Sequence, residues 1–335
     1  MENSHFSWRA FALTGLLPVL ILAACCALIE HVLERRDAAR LTATETFYTV
    51  HGRRIRYHLT GPGLTGPGSP GPTIVLLNGS AGCLEQWDRV QTALSATSPV
   101  ISYDRGGTGF NDPAYAYDAN AYADELDQLL HSPQIAGPFV LVSYSSSSMM
   151  AIVFAARHLD VVKGMVFVDP ALRSPGTKTY RRLFWRASVV NPLEAFFGYT
   201  RLRHAIAARN GPPSSPTSER SNAVLVSTHH WLATTHDSMN LDDSADEADA
   251  AMADTHPLAH IPLALLTTAD PAAGEWSRRT FEGHKKLVAN SERGSLRAAV
   301  GGDHSQLLND PGEVASIVDM IRTIRAEAAA GSGSP

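Results

Sequence analysis

Cysteine is scarce in this chain: three among 335 residues. Two of them, Cys25 and Cys26, lie inside an apolar N-terminal run, which leaves Cys83 alone in the globular part. An internal disulfide there is excluded, and cysteine pairing says nothing about compartment. Excess positive charge is lacking too. The formal net charge is −5, which argues against general nucleic-acid binding. No strong metal-ligand spacing is present. His229, His230 and His236 precede the acidic run Asp242, Asp243, Asp246, Glu247 and Asp249, but their spacing matches no strong site. No cofactor and no metal are expected.

One long apolar run is present. Ala10 to Ile29 is apolar apart from Thr14, and about 20 such residues suffice to span a bilayer. Trp8 and Arg9 mark one end; Glu30, His31, Glu34, Arg35 and Arg36 mark the other. A single-pass N-terminal anchor is expected. A cleaved signal peptide is the rival. A second rival is a lipoprotein, because Leu22-Ala23-Ala24-Cys25 resembles a lipoprotein cleavage box with Cys25 as the lipidated residue. Arg35, Arg36 and Arg40 outnumber Arg9, a bias that keeps the following domain on the cytoplasmic side. The lipobox reading puts it outside, so the side of the membrane stays open.

Beyond a charged, helical linker at 30–45, apolar strand-like runs alternate with helical patterns. An opening hairpin is expected around His51-Gly52. Strands are expected near Thr73–Leu77, Pro99–Tyr103, Phe139–Val142, Gly164–Asp169, Pro262–Thr267 and Ser295–Val300. Helices are expected near Leu84–Ala96, Ala119–His131, Ser146–His158, Gly274–Val288 and Pro311–Ala326. Such alternation implies a mostly parallel sheet covered on both faces, with functional groups at the carboxyl ends of the strands. Asn78, Asp104, Ser145, Asp169, Asp270 and His304 all stand at such ends. The alternation breaks between Leu172 and Pro257, where a helical cap is expected; its large apolar side chains include Phe184, Trp185, Phe196, Phe197, Tyr199 and Trp231. The cap begins basic and ends acidic, a solvated surface whose basic half could alternatively face anionic lipid.

The segment Val142-Ser143-Tyr144-Ser145-Ser146-Ser147-Ser148-Met149 joins an apolar strand to a small-residue helix, the setting of a nucleophile elbow. The positions two before and two after the nucleophile must be small. Centring on Ser143 places Leu141 there, Ser146 places Tyr144, and Ser147 places Met149, so sterics select Ser145. Serine then stands on both sides where glycine is usual, and each added Cβ is expected to carry strain of order 1 kcal/mol or more.

Together these motifs resemble the α/β-hydrolase family over roughly Thr46 to Ala326. The resemblance rests on Asn78-Gly79-Ser80-Ala81-Gly82 as the oxyanion loop and Tyr103-Asp104-Arg105-Gly106-Gly107-Thr108-Gly109 as a recurrent turn. It rests equally on the elbow, an aspartate after a late strand, and a terminal Gly-x-x-His followed by Asn309-Asp310-Pro311. The N-terminal helix is similar to that of a membrane-anchored bacterial subgroup. The resemblance implies an eight-stranded, mostly parallel sheet with helices on both faces and an inserted helical cap. The expected division is a flank at 1–9, the apolar segment at 10–29, the linker, a core at 46–171 and 258–327, the cap at 172–257 and a disordered tail at 328–335.

It also implies a serine hydrolase acting on a carboxylic ester through an acyl-enzyme. Ser145 is the expected nucleophile, His304 the base and Asp270 the acid, with Asp169 as the rival acid. The backbone N–H groups of Ser80 and Ser146 are expected to hold the oxyanion. The substrate is expected to be a small or lipid-like ester. Alternatives are an amidase or peptidase with the same triad, and a catalytically silent binding protein. Asp104 and Arg105 are expected to act structurally, and Cys83 to be a packed residue.

Overall fold

The computed structural model describes residues 15–62, 71–114, 117–173, 188–209, 215–253 and 257–331. Eight strands form one sheet in the order β1-β2-β4-β3-β5-β6-β7-β8. β1 (Thr46–Val50) and β2 (Arg53–Thr60) make the expected hairpin, and β2 runs antiparallel to both its neighbours. The remaining strands are parallel: β3 (Thr73–Leu77), β4 (Val100–Tyr103), β5 (Phe139–Tyr144), β6 (Val162–Val168), β7 (Leu263–Thr267) and β8 (Gly294–Ala298).

Side chains on a strand alternate between faces, so each buried strand feeds two cores. Val75, Leu77, Leu141, Leu263 and Leu265 enter one apolar cluster; Ile74, Leu76, Val140, Val142 and Leu266 enter the other. Helices Ala119–Leu130 and Ser147–Arg157 cover the first face. Helices Asp88–Ser95 and Pro311–Gly331 cover the second. β3 lies between β4 and β5, so the chain leaves β3 in one direction and later returns on its other side. That reversal opens a crevice at the carboxyl ends of β3 and β5, where ligands bind in open α/β sheets.

Between β6 and β7 come the cap helices Tyr199–Ala208, Pro216–Leu225, Thr228–Met239 and Leu241–Ala253, preceded by helical residues 188–196. Ser215 and Ser227 start two of them by accepting from the Ser218 and His230 N–H groups, as good N-caps do. The early basic cap residues Lys178, Arg181, Arg182 and Arg186, with Phe184 and Trp185, lie outside the described residues.

Two expectations need correction. The linker is no separate element: a single helix, Leu17–Leu41, carries the apolar residues from 17 onward and the charged segment as far as 41. Its charged half is fastened by ion pairs from Arg201 to Glu30 and Asp37, and from Arg40 to Glu219. The tail does not become irregular at 328, since the last helix continues to Gly331. Alanine is a strong helix former, and Ala328 is buried against the sheet. Gly164 on β6 makes room, because a Cβ there would lie 2.7 Å from Ile324 of this helix.

Glu125, buried in helix Ala119–Leu130, accepts a 2.8 Å hydrogen bond from the Gly106 N–H of the turn after β4. Burial pushes its carboxyl up to about 7, against the opposing effect of that bond. The folded state therefore binds a proton that the unfolded chain has released above its ordinary value of about 4.3. This group's contribution should decline as pH rises from about 4.3 to about 7 and then level off. Denaturant melts of wild type and Glu125→Gln across that range should show the wild type losing stability relative to the variant. Parallel curves would contradict the assignment.

Candidate active site

The elbow is present. β5 ends at Tyr144, the helix begins at Ser147, and Ser145 between them has φ +56. Left-handed backbone at a residue other than glycine or asparagine is uncommon and marks a constrained turn. Three bonds impose it: Ser145 N–H donates to the Val168 carbonyl at 3.1 Å, and the Ser145 carbonyl accepts from Ala171 at 3.0 Å and Ser148 at 3.2 Å. Gly79 of the loop after β3 packs directly against the turn. A Cβ there would meet Ser145 Cβ at 3.0 Å and the Tyr144 carbonyl at 3.1 Å.

The flanking serines do more than fit. Ser147 Oγ accepts from Tyr144 N–H at 3.0 Å and lies 2.9 Å from the Leu77 and Tyr144 carbonyls, to either of which it can donate. Ser143 Oγ and Ser148 Oγ pair at 3.1 Å. The expected bulk is thus offset by hydrogen bonds that knit β3, β5 and the elbow helix together.

His304 arrives from the loop beyond β8. Its ring stacks on Tyr144 with centroids 4.8 Å apart, and the Tyr144 hydroxyl donates to the His304 carbonyl at 2.7 Å. No hydrogen bond joins Ser145 Oγ to His304 among the described residues. The ring's Nδ1 lies 2.6 Å from Asp169 Oδ2. Asp169 is buried, with φ +43, and accepts from Thr268 N–H at 2.8 Å and Thr268 Oγ1 at 2.6 Å. Burial alone would raise its pKa. The bonds from His304 and Thr268 outweigh burial and hold the carboxyl below its ordinary value.

The expected partnership of Asp270 with His304 is not found. Asp270 is exposed, and its carboxylate accepts from the Ala272 N–H at 2.8 Å. Sheet order explains why. The His304 ring sits over β5; Asp169 ends β6, the adjacent strand, whereas Asp270 follows β7, one strand further out. Each strand adds about 4.8 Å.

Ser80 and Ser146 lie together, with their hydroxyl oxygens 2.9 Å apart. Neither backbone N–H is used in a backbone hydrogen bond among the described residues. Asn78 supports the loop by donating to the Tyr103 carbonyl at 2.8 Å. Asp104 and Arg105 do not pair with each other. Asp104 binds Arg56, while Arg105 reaches the cap residue Asp237 at 3.1 Å and the Gly79 carbonyl at 3.1 Å. Asp237 Oδ2 also accepts from Ser80 Oγ at 2.5 Å. A carboxylate only accepts, so it takes the single Ser80 proton, and Ser146 donates to Ser80 Oγ.

Sequence reasoning missed Asp237, whose contact depends on how the cap seats. It also missed His284, which lies buried behind Asp169. His284 donates from Nε2 to the Pro170 carbonyl at 2.9 Å and accepts at Nδ1 from Thr267 Oγ1 at 2.7 Å. Burial lowers its pKa, which keeps the ring neutral as this bonding requires. The three cap histidines gather no metal-ligand group among the described residues.

The sequence profile of the alpha/beta hydrolase family matches residues 74–317. The chain belongs to that family. An uncharacterised protein of Schizosaccharomyces pombe is 28% identical over 238 residues, 59% of this chain and 44% of that one. The chain thus matches less than half the length of that relative. Among solved structures, the Cif epoxide hydrolase of Acinetobacter nosocomialis superposes with a TM-score of 0.64 at 15% identity, covering 86% of this chain and 96% of that one. A thermophilic esterase from Thermogutta terrifontis does so at 0.59 and 18%, covering 84% and 99%. These likenesses concern the fold.

Ser147→Ala should test the elbow. It leaves the Tyr144 N–H without its acceptor, which costs about 1–3 kcal/mol in a buried site. Chemical denaturation should show a loss of that size, and an unchanged midpoint would mean the hydroxyl contributes nothing.

Proposed function

We propose that this protein is a membrane-tethered serine hydrolase that cleaves carboxylic esters through an acyl-enzyme. The reading rests on Ser145 held at positive φ, next in sequence to Tyr144, on whose ring stacks an imidazole with its Nδ1 hydrogen-bonded to a buried carboxylate. The N-terminal helix supplies the tether, being long and apolar enough to cross a membrane. A signal sequence passes the same test.

Ser145 attacks the ester carbonyl as His304 Nε2 takes its proton. Asp169 accepts from Nδ1–H, which fixes the tautomer and stabilises the imidazolium. The Ser80 and Ser146 N–H groups receive the oxyanion, and the one at Ser146 opens the elbow helix, whose dipole favours negative charge there. Collapse of the tetrahedral adduct expels the alcohol, protonated by His304. Water then enters, His304 takes its proton, and attack on the acyl carbon releases the acid and restores Ser145. The His304 side chain is 45% exposed, so water can reach it for this second half. A serine nucleophile paired with an imidazole suits acyl transfer from an ester.

The test is hydrolysis of p-nitrophenyl esters of graded chain length. Ser145→Ala should abolish turnover. Asp169→Asn should lower kcat by roughly 10⁴-fold, the effect of losing a triad acid's tautomer control. Asp270→Asn should stay within about twofold, as surface changes do. A large loss in Asp270→Asn with an active Asp169→Asn would reverse the assignment.

A further inference from the structure

We propose that the cap segment 188–209 lies in the lipid–water interface of a bilayer, directly beside the N-terminal helix, so that the enzyme rests with its cap on the membrane. The inference rests on the membrane reading of that helix and goes beyond it, because a tether alone would leave the globular part free to stand off the surface.

Three observations converge. First, the segment carries an uncovered apolar face. Leu193, Phe197, Tyr199, Leu202 and Ile206 are each between 42% and 56% exposed. Tyr199, Leu202 and Ile206 are spaced three and four apart along one side of their helix, and Leu193 and Phe197 immediately precede it, across the turn at Gly198. A soluble monomer rarely leaves such a patch uncovered.

Second, the patch sits at the end of the apolar run. Glu30, the first charged residue after Ile29, is buried and receives Arg201 Nε at 2.8 Å. The cap backbone touches the helix there, since a Cβ on Gly198 would lie 3.1 Å from Glu30 Oε2. Phe196 shares the wall of a cavity of about 480 Å³ with Ala27 and His31. This part of the cap therefore lies level with the last turn of the apolar helix. Leu22, Leu28 and Ile29 of that helix are 59–65% exposed and stand clear of the protein.

Third, the charge fits. Residues 188–209 contain three arginines and one glutamate. Arg201 is committed to Glu30 and Asp37, Arg203 pairs with Glu194 at 3.3 Å while remaining exposed, and Arg209 is exposed at the end of the helix. Apolar side chains flanked by arginine suit an interface containing anionic lipid. A lipid surface is the occupant that meets the exposed helix and the cap patch at one level, and it would bring lipid-borne esters to the cap directly.

The experiment uses the full chain reconstituted in phosphatidylcholine vesicles containing phosphatidylglycerol. Cys25→Ala and Cys26→Ala are introduced, and buried Cys83 is kept. An environment-sensitive fluorophore is attached at Phe197→Cys, at Leu202→Cys or, as the control on a distant exposed helix, at Lys286→Cys. Nitroxide-labelled lipid should quench the two cap positions severalfold more than the control. Equal quenching at all three in vesicles that carry the protein on flotation would overturn the inference and leave the tether intact. Failure to float would overturn both. Because quenching needs no turnover, neither result depends on the hydrolytic reading. As a second check, the double variant Phe197→Asp, Leu202→Asp should lose turnover of a vesicle-borne ester severalfold while keeping that of a soluble short-chain ester. Equal retention of both activities would contradict the proposal.

Discussion

The site depends on one steric constraint: two loops must pass at van der Waals distance over the crevice between β3 and β5. Ser145 turns through positive φ there, and Gly79 leaves the space that turn occupies. A side chain at 79 would push the loop after β3 away from the elbow and separate Ser80 from Ser146. The sheet sets the same constraint from below, because both loops leave fully buried strands whose register is fixed by a pair of apolar cores.

Around that crossing, hydroxyl groups take the place of bare backbone packing. Ser143 and Ser147 occupy the tight positions beside Ser145, and each gives its hydroxyl a partner. A polar line continues outward from Ser146 through Ser80 to Asp237, and Arg105 closes it by holding both Asp237 and the Gly79 carbonyl. The cap is thereby joined to the loop after β3 through a buried ion pair. Removing one partner of such a pair leaves an uncompensated buried charge, which is strongly destabilising.

The strands, the elbow and the terminal histidine were legible because each has a local signature: buried runs with period two, a small-residue turn, a Gly-x-x-His before a helix. The choice of acid was not. Asp169 and Asp270 both follow apolar strands, and no local pattern says which strand lies beside β5. Only sheet order decides, and it favours Asp169. Asp237 and His284 were hidden for the related reason that their partners lie far along the chain, at Arg105 and Pro170. The packing of the linker was hidden in the same way, because Glu30 and Asp37 find Arg201 across 164 residues or more.

The central claim is that the Ser145 hydroxyl is an activated nucleophile. The most direct measurement is mass-spectrometric mapping of the residue modified by a fluorophosphonate probe on the full-length protein. The account predicts a single covalent adduct on Ser145. An adduct on Ser146, Ser147 or Ser80 instead, or none on a protein shown to be folded, would contradict it.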